Sequence, residues 1–152
     1  ADEIEQLLRG TFSPPEVEDP VAFALEKHLE DFLVQNWSGT ELSRDFDFYE
    51  EDGERAGQQF PTDTGPIDIL AISKDRTTLL VIELKKGRAS DVVVGQLLRY
   101  MGYVQGELAE AGQEVHGVVI ALEDDQRLRR ALAMVPAIQF YRYELNFKLV
   151  LA

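Results

Sequence analysis

Two carboxylates and a lysine stand at the ends of two apolar segments of this chain. Asp68 is the second residue of the segment 67–72, whereas Glu83 and Lys85 lie at the end of the segment 77–84 and just beyond it. Carboxylates held close together repel one another unless a cation lies between them, and hard oxygen ligands favour Mg²⁺ or Mn²⁺. The pattern therefore predicts a divalent-cation site. The alternative is a cross-strand salt-bridge cluster in which Lys85 neutralises Glu83.

The two apolar segments form a predicted β-hairpin. Both are rich in Ile, Leu, Val and Thr, and residues 73–76 between them are polar. If the turn lies at the centre of that polar stretch, Asp68 faces Glu83 across the strands, with Cβ atoms roughly 4.5 to 5.5 Å apart. Lys85 shares the face of Glu83 because side chains alternate along a strand. The hairpin would bring the three charged groups together.

A predicted amphipathic helix, residues 21–37, precedes the hairpin. Its apolar residues recur near helical spacing. Glu26 and Glu30 lie one turn apart on this helix and can share a face. The alternative interpretation is a solvent-facing pair of acids that Lys27 offsets.

A second predicted helix, residues 91–111, follows the hairpin. Ser90 is its expected N-cap, and Gly112 ends it. Gln96 and Tyr100 lie four residues apart on it and therefore point at the same neighbour. Without further context, a polar residue on the helix flank beside a packed aromatic is an equally good interpretation.

The remaining segments complete a mixed α/β pattern. The predicted order is helix, three strands, helix, strand, helix, strand, which places a central sheet between helices. A half-exposed strand is predicted at 45–49 and an acidic loop at 50–57. A buried strand is predicted at 115–122, a helix at 124–134 and a closing strand or pair of strands at 138–150.

Several of these residues carry a resemblance to a known superfamily. Asp68 followed by Glu83-Leu84-Lys85 resembles the P-D and D/E-x-K signature of the PD-(D/E)XK nucleases. The stretch 96–100 resembles the Q-x-x-x-Y element of one branch. The segments 60–70 and 81–87 are similar to the C-terminal nuclease domain of NucS/EndoMS endonucleases, and the likeness extends over residues 22–150.

The resemblance implies a restriction endonuclease-like core, an α/β fold in which a central mixed β-sheet is flanked by helices. It also implies a metal-dependent endonuclease that hydrolyses DNA phosphodiester bonds in repair or defence, with Mg²⁺ or Mn²⁺ as cofactor. DNA is then the expected partner, and a homodimer is expected because two strands need two sites. The alternative function is a non-catalytic module of nuclease-like fold that binds nucleic acid or another protein.

The acidic residues receive roles from the resemblance alone. Asp68, Glu83 and the backbone carbonyl of Leu84 would bind one or two Mg²⁺. Glu26 would reach the metal directly or through water. Glu26 is favoured over Glu30 because the acid of the family pattern usually lies three residues before a leucine.

The other site residues receive supporting roles from the same resemblance. Lys85 would position the attacking water or offset charge in the transition state. Gln96 would orient Lys85 or the nucleophile, and Tyr100 would support the helix against the site or touch the backbone. Gln58-Gln59 departs from the pattern, because an arginine and a glutamate are expected there.

The charge of the chain is unevenly distributed. The net charge is −13, and residues 1–63 hold 17 acidic against 4 basic side chains, whereas residues 64–152 hold 11 of each. Because an acidic segment repels a polyanion, a partner protein or a basic domain outside this sequence is expected to supply affinity for DNA. Basic clusters at 85–88, 99 and 127–130 are candidate phosphate contacts, although a solvated face is the simpler interpretation of 127–130.

Composition sets the outer limits. A chain of 152 residues with 45% hydrophobic content can bury one core. It has no cysteine, which excludes a disulfide framework and cysteine-ligated zinc. No apolar run reaches about 18 residues and no signal peptide is recognisable, so no membrane partner is expected and a cytoplasmic location is the default. We predict an N-terminal appendage at 1–20 and a nuclease-like domain at 21–152.

Overall fold

The computed structural model of the protein describes residues 20–144 and 149–152, with side chains described from residue 26 onward. Within these ranges the helices are α1 Pro20–Gln35, α2 Val92–Glu107 and α3 Gln126–Ala133, and two 3₁₀ turns span Trp37–Gly39 and Glu41–Arg44. The strands are β1 Phe46–Phe48, β2 Glu50–Glu51, β3 Glu54–Arg55, β4 Gln58–Phe60, β5 Ile67–Ser73, β6 Thr78–Leu84, β7 Glu114–Ala121 and β8 Ile138–Arg142. None of the helices described is both long and apolar enough to cross a membrane.

A mixed six-stranded sheet forms the centre of the described part. Its order is β1-β5-β6-β7-β8, and β4 also pairs with β5. Strands β1, β4 and β6 run antiparallel to β5, whereas β6, β7 and β8 are mutually parallel and are connected through α2 and α3. Because Ile69 pairs with both Gln58 and Ile82, β4 lies on the edge of β5 that faces away from β6.

The predicted hairpin is confirmed. Ile69 pairs with Ile82 and Leu70 with Val81, so the turn lies in the polar stretch between the two strands. Continued by one residue, this register places Asp68 opposite Glu83, the glutamate of the predicted site.

Apolar side chains cover both faces of the sheet. One face packs against α2 and α3, and the other packs against the end of α1 and the 3₁₀ turns. The predicted apolar stripe on α2 is buried at Val93, Leu97, Met101 and Val104. Its last predicted member, Leu108, follows the helix and is partly buried. The predicted α/β fold, a central mixed sheet between helices, is therefore confirmed.

The segment 50–57 differs from the predicted acidic loop, because it contains the β2–β3 hairpin. Asp52 and Gly53 both have positive φ, 53° and 81°. Two consecutive left-handed residues form the turn whose twist matches a two-residue hairpin, and Asp-Gly is a favoured sequence for it. The Asp-Gly dipeptide was the local signal for this hairpin.

Other boundaries also differ from the prediction. Strand β4 is absent from the predicted order because two of its three residues are polar glutamines. Helix α2 ends before residue 108, and Asp91 rather than Ser90 is its N-cap, with no side-chain capping bond. The last strand ends at Arg142, and 149–152 are not in a strand. The predicted appendage lies almost entirely outside the described residues, as do residues 145–148 of the predicted closing strand.

Candidate active site

The open end of the β5–β6 hairpin carries the predicted carboxylate pair. Asp68 is half-buried, and Glu83 is only 7% exposed. The backbone N–H of Leu84 donates a hydrogen bond of 2.8 Å to Asp68 Oδ2, which fixes one carboxylate oxygen against the neighbouring strand. Strand pairing therefore holds the two acids together, whatever their mutual repulsion.

Burial raises the pKa of both carboxyls. The pKa of Asp68 is raised to about 6 by burial and by the charge of Glu30, against the opposing effects of the Leu84 N–H and Lys85. The pKa of Glu83 is raised to about 8 by burial and by the charge of Asp68, again against Lys85. Near neutral pH the metal-free pair therefore keeps a proton. Desolvation is the largest cause for both groups, and the charge of a neighbouring acid adds to it.

Lys85 compensates Glu83 only in part. Its Nζ lies 3.6 Å from Glu83 Oε1, which is the distance that the salt-bridge alternative requires. The second oxygen, Glu83 Oε2, is buried and has no hydrogen-bond partner among the described residues. A buried acceptor left unpaired costs about 1–3 kcal/mol. The cluster is thus incomplete as a purely structural salt bridge.

The donor set fits a magnesium or manganese ion that is completed by other ligands. In the described ranges, no group of three or more His, Asp or Glu side chains is arranged to hold one metal. Mg²⁺ is commonly bound through one or two carboxylates, with water and substrate phosphates filling the remaining positions. Asp68 and the unpartnered oxygen of Glu83 match that requirement, and the Leu84 carbonyl remains the predicted third donor.

The two helix acids reach the pair by different routes. Glu26 Oε1 accepts a hydrogen bond of 3.0 Å from the backbone N–H of Lys86, and its charge contributes to the raised pKa of Glu83. Glu30 is 3% exposed, and its charge contributes to the raised pKa of Asp68. The preference for Glu26 as the catalytic helix acid stays a prediction.

Gln59 belongs to the site but was not predicted as a site residue. Its Nε2 donates to Glu30 Oε1 and, at 3.3 Å, to Asp68 Oδ1. In the sequence, Gln58-Gln59 stands where the family resemblance implies an arginine and a glutamate, which marks the position but assigns Gln59 no role. Its role depends on β4 pairing with β5, which no local pattern reveals.

Tyr100, on α2, lies near the carboxylate pair. Burial, together with the charges of Glu83 and Asp68, raises the pKa of the Tyr100 phenol. A Cβ built on Gly65 would lie 3.3 Å from the Tyr100 hydroxyl, so this hydroxyl reaches the turn that leads into β5. Gln96 is half-buried one helical turn earlier, and its amide is not a hydrogen-bond partner of either carboxylate in the described part of the chain.

Two of the basic residues considered as phosphate contacts are paired with acids. Arg88 Nη2 lies 3.5 Å from Glu123 Oε2, and Arg129 forms an ion pair with Asp124. These pairs offset part of the positive charge. Arg99 is exposed on α2.

A separate cavity of about 670 Å³ lies beside the β2–β3 hairpin, and none of the predicted site residues lines it. Arg55 lies 4.2 Å from the centre of the Phe48 ring and donates to the Val34 carbonyl. The cavity wall is therefore held by structural contacts, and the carboxylate pair remains the candidate site.

The fold and the carboxylate pair define a domain of the restriction endonuclease-like class. Residues 39–144 match the family of the endonuclease NucS C-terminal domain, and the chain belongs to this family. The matched segment contains the hairpin and α2 but not α1, so Glu26 and Glu30 precede it. No curated protein matches the chain.

Solved structures share the fold at low sequence identity. A repair endonuclease from Pyrococcus abyssi is 20% identical with a TM-score of 0.59, and the match covers 87% of this chain and 50% of that chain. The EndoMS–dsDNA2 complex is 21% identical with a TM-score of 0.62, and the match covers 90% of this chain and 50% of that chain. EndoMS in its apo form is 23% identical with a TM-score of 0.58, and the match covers 80% of this chain and 47% of that chain. This chain thus spans about half the length of these proteins.

Proposed function

We propose that this domain is a Mg²⁺- or Mn²⁺-dependent endodeoxyribonuclease. The observation that carries the proposal is the buried Glu83 Oε2, which has no hydrogen-bond partner in the described residues and lies beside the half-buried carboxylate of Asp68. A folded protein tolerates such repulsion and an unpaired oxygen most readily where a ligand relieves both. Membership of the NucS C-terminal family supports the same assignment.

The chain's own residues divide the work of hydrolysis. Asp68 and Glu83 would hold the cation, with the Leu84 N–H keeping Asp68 in place. The bound cation would polarise the scissile phosphate and lower the pKa of the attacking water. Lys85 Nζ, beside Glu83, would orient that water or offset negative charge that develops on the phosphate.

The remaining roles are also proposals. Glu26 would act on the metal through water, because its carboxylate is engaged with the loop after β6. Gln96 would orient Lys85 or the nucleophile, and Tyr100 would keep α2 against the site. DNA is the proposed substrate because EndoMS has been solved in a dsDNA2 complex. We further propose a homodimer acting in repair, with a partner or a basic domain that offsets the acidic N-terminal half.

A cleavage assay on single-stranded, duplex and branched DNA tests the proposal. Cutting should require Mg²⁺ or Mn²⁺ and should be lost in Asp68→Ala and Glu83→Ala. Asp75→Ala is the matched control, because Asp75 lies at the other end of the same hairpin. Loss of cleavage in the two site variants alone supports the assignment.

Other outcomes separate the alternatives. A folded protein that binds DNA without cutting it would support the non-catalytic module. A folded wild type that binds Mn²⁺ without cutting would indicate that a further domain or partner is needed. Absence of metal binding would contradict the catalytic function.

A further inference from the structure

Strand β4 presents two adjacent glutamines whose amides both bind the same carboxylate. Gln58 Nε2 donates to Glu30 Oε2 at 2.9 Å and to Asp31 Oδ1 at 2.6 Å. Gln59 Nε2 donates to Glu30 Oε1 and to Asp68 Oδ1 at 3.3 Å. The two amides are alike in chemistry and share an acceptor, but only Gln59 reaches the candidate active site.

The backbone of Gln59 is held in an unfavourable conformation. Its φ is 52°, in the left-handed region that side chains other than glycine rarely adopt. Gln58 pairs with Ile69 and Phe60 pairs with Ile67, so the strand is anchored on both sides of Gln59. Such local strain persists where the surrounding structure enforces it, and it is frequent at functional sites.

Glu30 gives the Gln59 amide a fixed support. Glu30 is 3% exposed, and its Oε2 accepts from both Lys27 Nζ, at 2.8 Å, and Gln58 Nε2. An amide NH₂ has two hydrogens, and Gln59 directs one to Glu30 and the other to Asp68. Asp68 is therefore held at both oxygens, because the Leu84 N–H binds Oδ2.

We propose that Gln59 is a positioning residue that links the buried Glu30 to Asp68 and sets the orientation in which Asp68 binds the divalent cation. The inference rests on the proposed function. Hydrogen-bond partners of metal ligands typically contribute 10- to 100-fold to metal affinity. Glu30, in turn, acts at a distance from the cation through the Gln59 amide.

Mn²⁺ titration calorimetry on the 152-residue chain tests the inference without any need for turnover. Gln59→Met keeps an unbranched side chain of similar length but removes the donor. We expect it to weaken Mn²⁺ binding by about tenfold or more. Gln58→Met removes the neighbouring donor to the same glutamate but leaves Lys27 Nζ donating to Glu30 Oε2, so this variant should bind Mn²⁺ as the wild type does. Equal affinity in the two variants would overturn the inference.

Further variants keep the outcome interpretable. If Gln59→Met does not fold, Gln59→Asn replaces it. Asparagine tolerates positive φ, and its amide is one methylene too short to bridge the two acids. Weakened Mn²⁺ binding in this variant is again expected, and unchanged affinity counts against the positioning role.

Asp68→Ala distinguishes failure of the proposed function from failure of the positioning role. If the wild type binds no Mn²⁺, the proposed function fails; if Asp68→Ala abolishes binding while Gln59→Met leaves it intact, only the positioning role fails.

Discussion

Asp75 and Asp68 occupy the two ends of one hairpin and experience opposite electrostatic environments. At the turn, Asp75 Oδ1 accepts from Ser73 Oγ at 2.7 Å, and from Thr77 N at 3.1 Å and Oγ1 at 2.7 Å. These donors lower the pKa of Asp75 to about 2. At the open end, burial raises the pKa of Asp68 to about 6. The turn carboxylate is exposed and hydrogen-bonded by its own turn, whereas Asp68 is desolvated and lies near other acids.

On the same hairpin, Asp75 is a structural acid and Asp68 is a candidate catalytic acid. Exposure and local hydroxyl donors stabilise the ionised form of Asp75. Burial and the charge of Glu30 destabilise the ionised form of Asp68. The hairpin therefore keeps its strands in register at the turn and concentrates repulsion at the opposite end.

Removing the second acid of the open end should have the largest effect. Glu83→Gln should lower DNA cleavage on the order of 100- to 1000-fold, because the proposed cation, which would offset the negative charge of the transition state, loses one of its ligands. At pH 8 it should raise the free energy of unfolding of the metal-free protein, because the folded state no longer has to ionise a buried carboxyl whose pKa is raised by burial and by the charge of Asp68. Cleavage rates and chemical denaturation measure the two effects. Asp75→Asn should do the reverse, with cleavage kept and stability lowered. Joint loss of activity and stability in Glu83→Gln would indicate a structural ion pair instead.

The metal-free protein should lose stability as the pH rises. The folded-state pKa values of Asp68 and Glu83, about 6 and about 8, exceed the ordinary values of 3.8 and 4.5. The folded state therefore binds protons more tightly, and this stabilisation is complete below about pH 4 and lost as the pH rises through both folded-state values. Urea denaturation with a chelator at several pH values measures the decline.

A control variant sharpens the pH experiment. Glu83→Gln should flatten the decline above pH 6, and Asp75→Asn should leave its slope unchanged, because Asp75 titrates below this range. A pH-independent free energy of unfolding in the wild type between pH 5 and 8 would contradict the raised pKa values.

Weakening the turn should affect stability but not the site. Ser73 Oγ donates to Asp75 and accepts from the backbone N–H groups of Thr77, at 3.0 Å, and Thr78, at 2.9 Å. Ser73→Ala should therefore cost about 1–3 kcal/mol of the free energy of unfolding, because it removes this network. Mn²⁺ affinity should not change. Lys74→Ala, which breaks an exposed ion pair with Asp47, should have a smaller effect, because exposed ion pairs contribute little to stability. A large loss of Mn²⁺ affinity in Ser73→Ala would show that the two ends are coupled.

The smallest effect is expected in the turn that leads into the open end. Gly65 has φ of 121°, and a Cβ there would lie 3.3 Å from the Tyr100 hydroxyl. Gly65→Ala should cost about 1 kcal/mol of the free energy of unfolding through backbone strain. Gly102→Ala on α2 is the control, because a Cβ there meets nothing within 4 Å. It should stabilise the helix by about 0.5–1 kcal/mol. Thermal denaturation distinguishes the two, and stabilisation by Gly65→Ala would contradict the strain.

Local patterns predicted the elements whose signal lies within a few residues. The apolar segments, the polar stretch between them and the stripe of α2 gave the hairpin, its register and the buried face of the helix. The β2–β3 hairpin was missed although Asp52-Gly53 signals it, because the surrounding acidic residues suggested a loop. Strand β4 was missed because two glutamines carry no strand signal and become a strand only by pairing with β5.

The sequence by itself determined that Asp68 and Glu83 face each other, because strand register and side-chain alternation follow from local periodicity. Tertiary structure alone decided that the second oxygen of Glu83 would be buried without a partner in the described residues, and that Gln59 would join Glu30 to Asp68. The reason is physical: burial and the approach of α1 and β4 depend on residues distant in sequence. Their desolvation and charge set the pKa values and the orientation of the carboxylates.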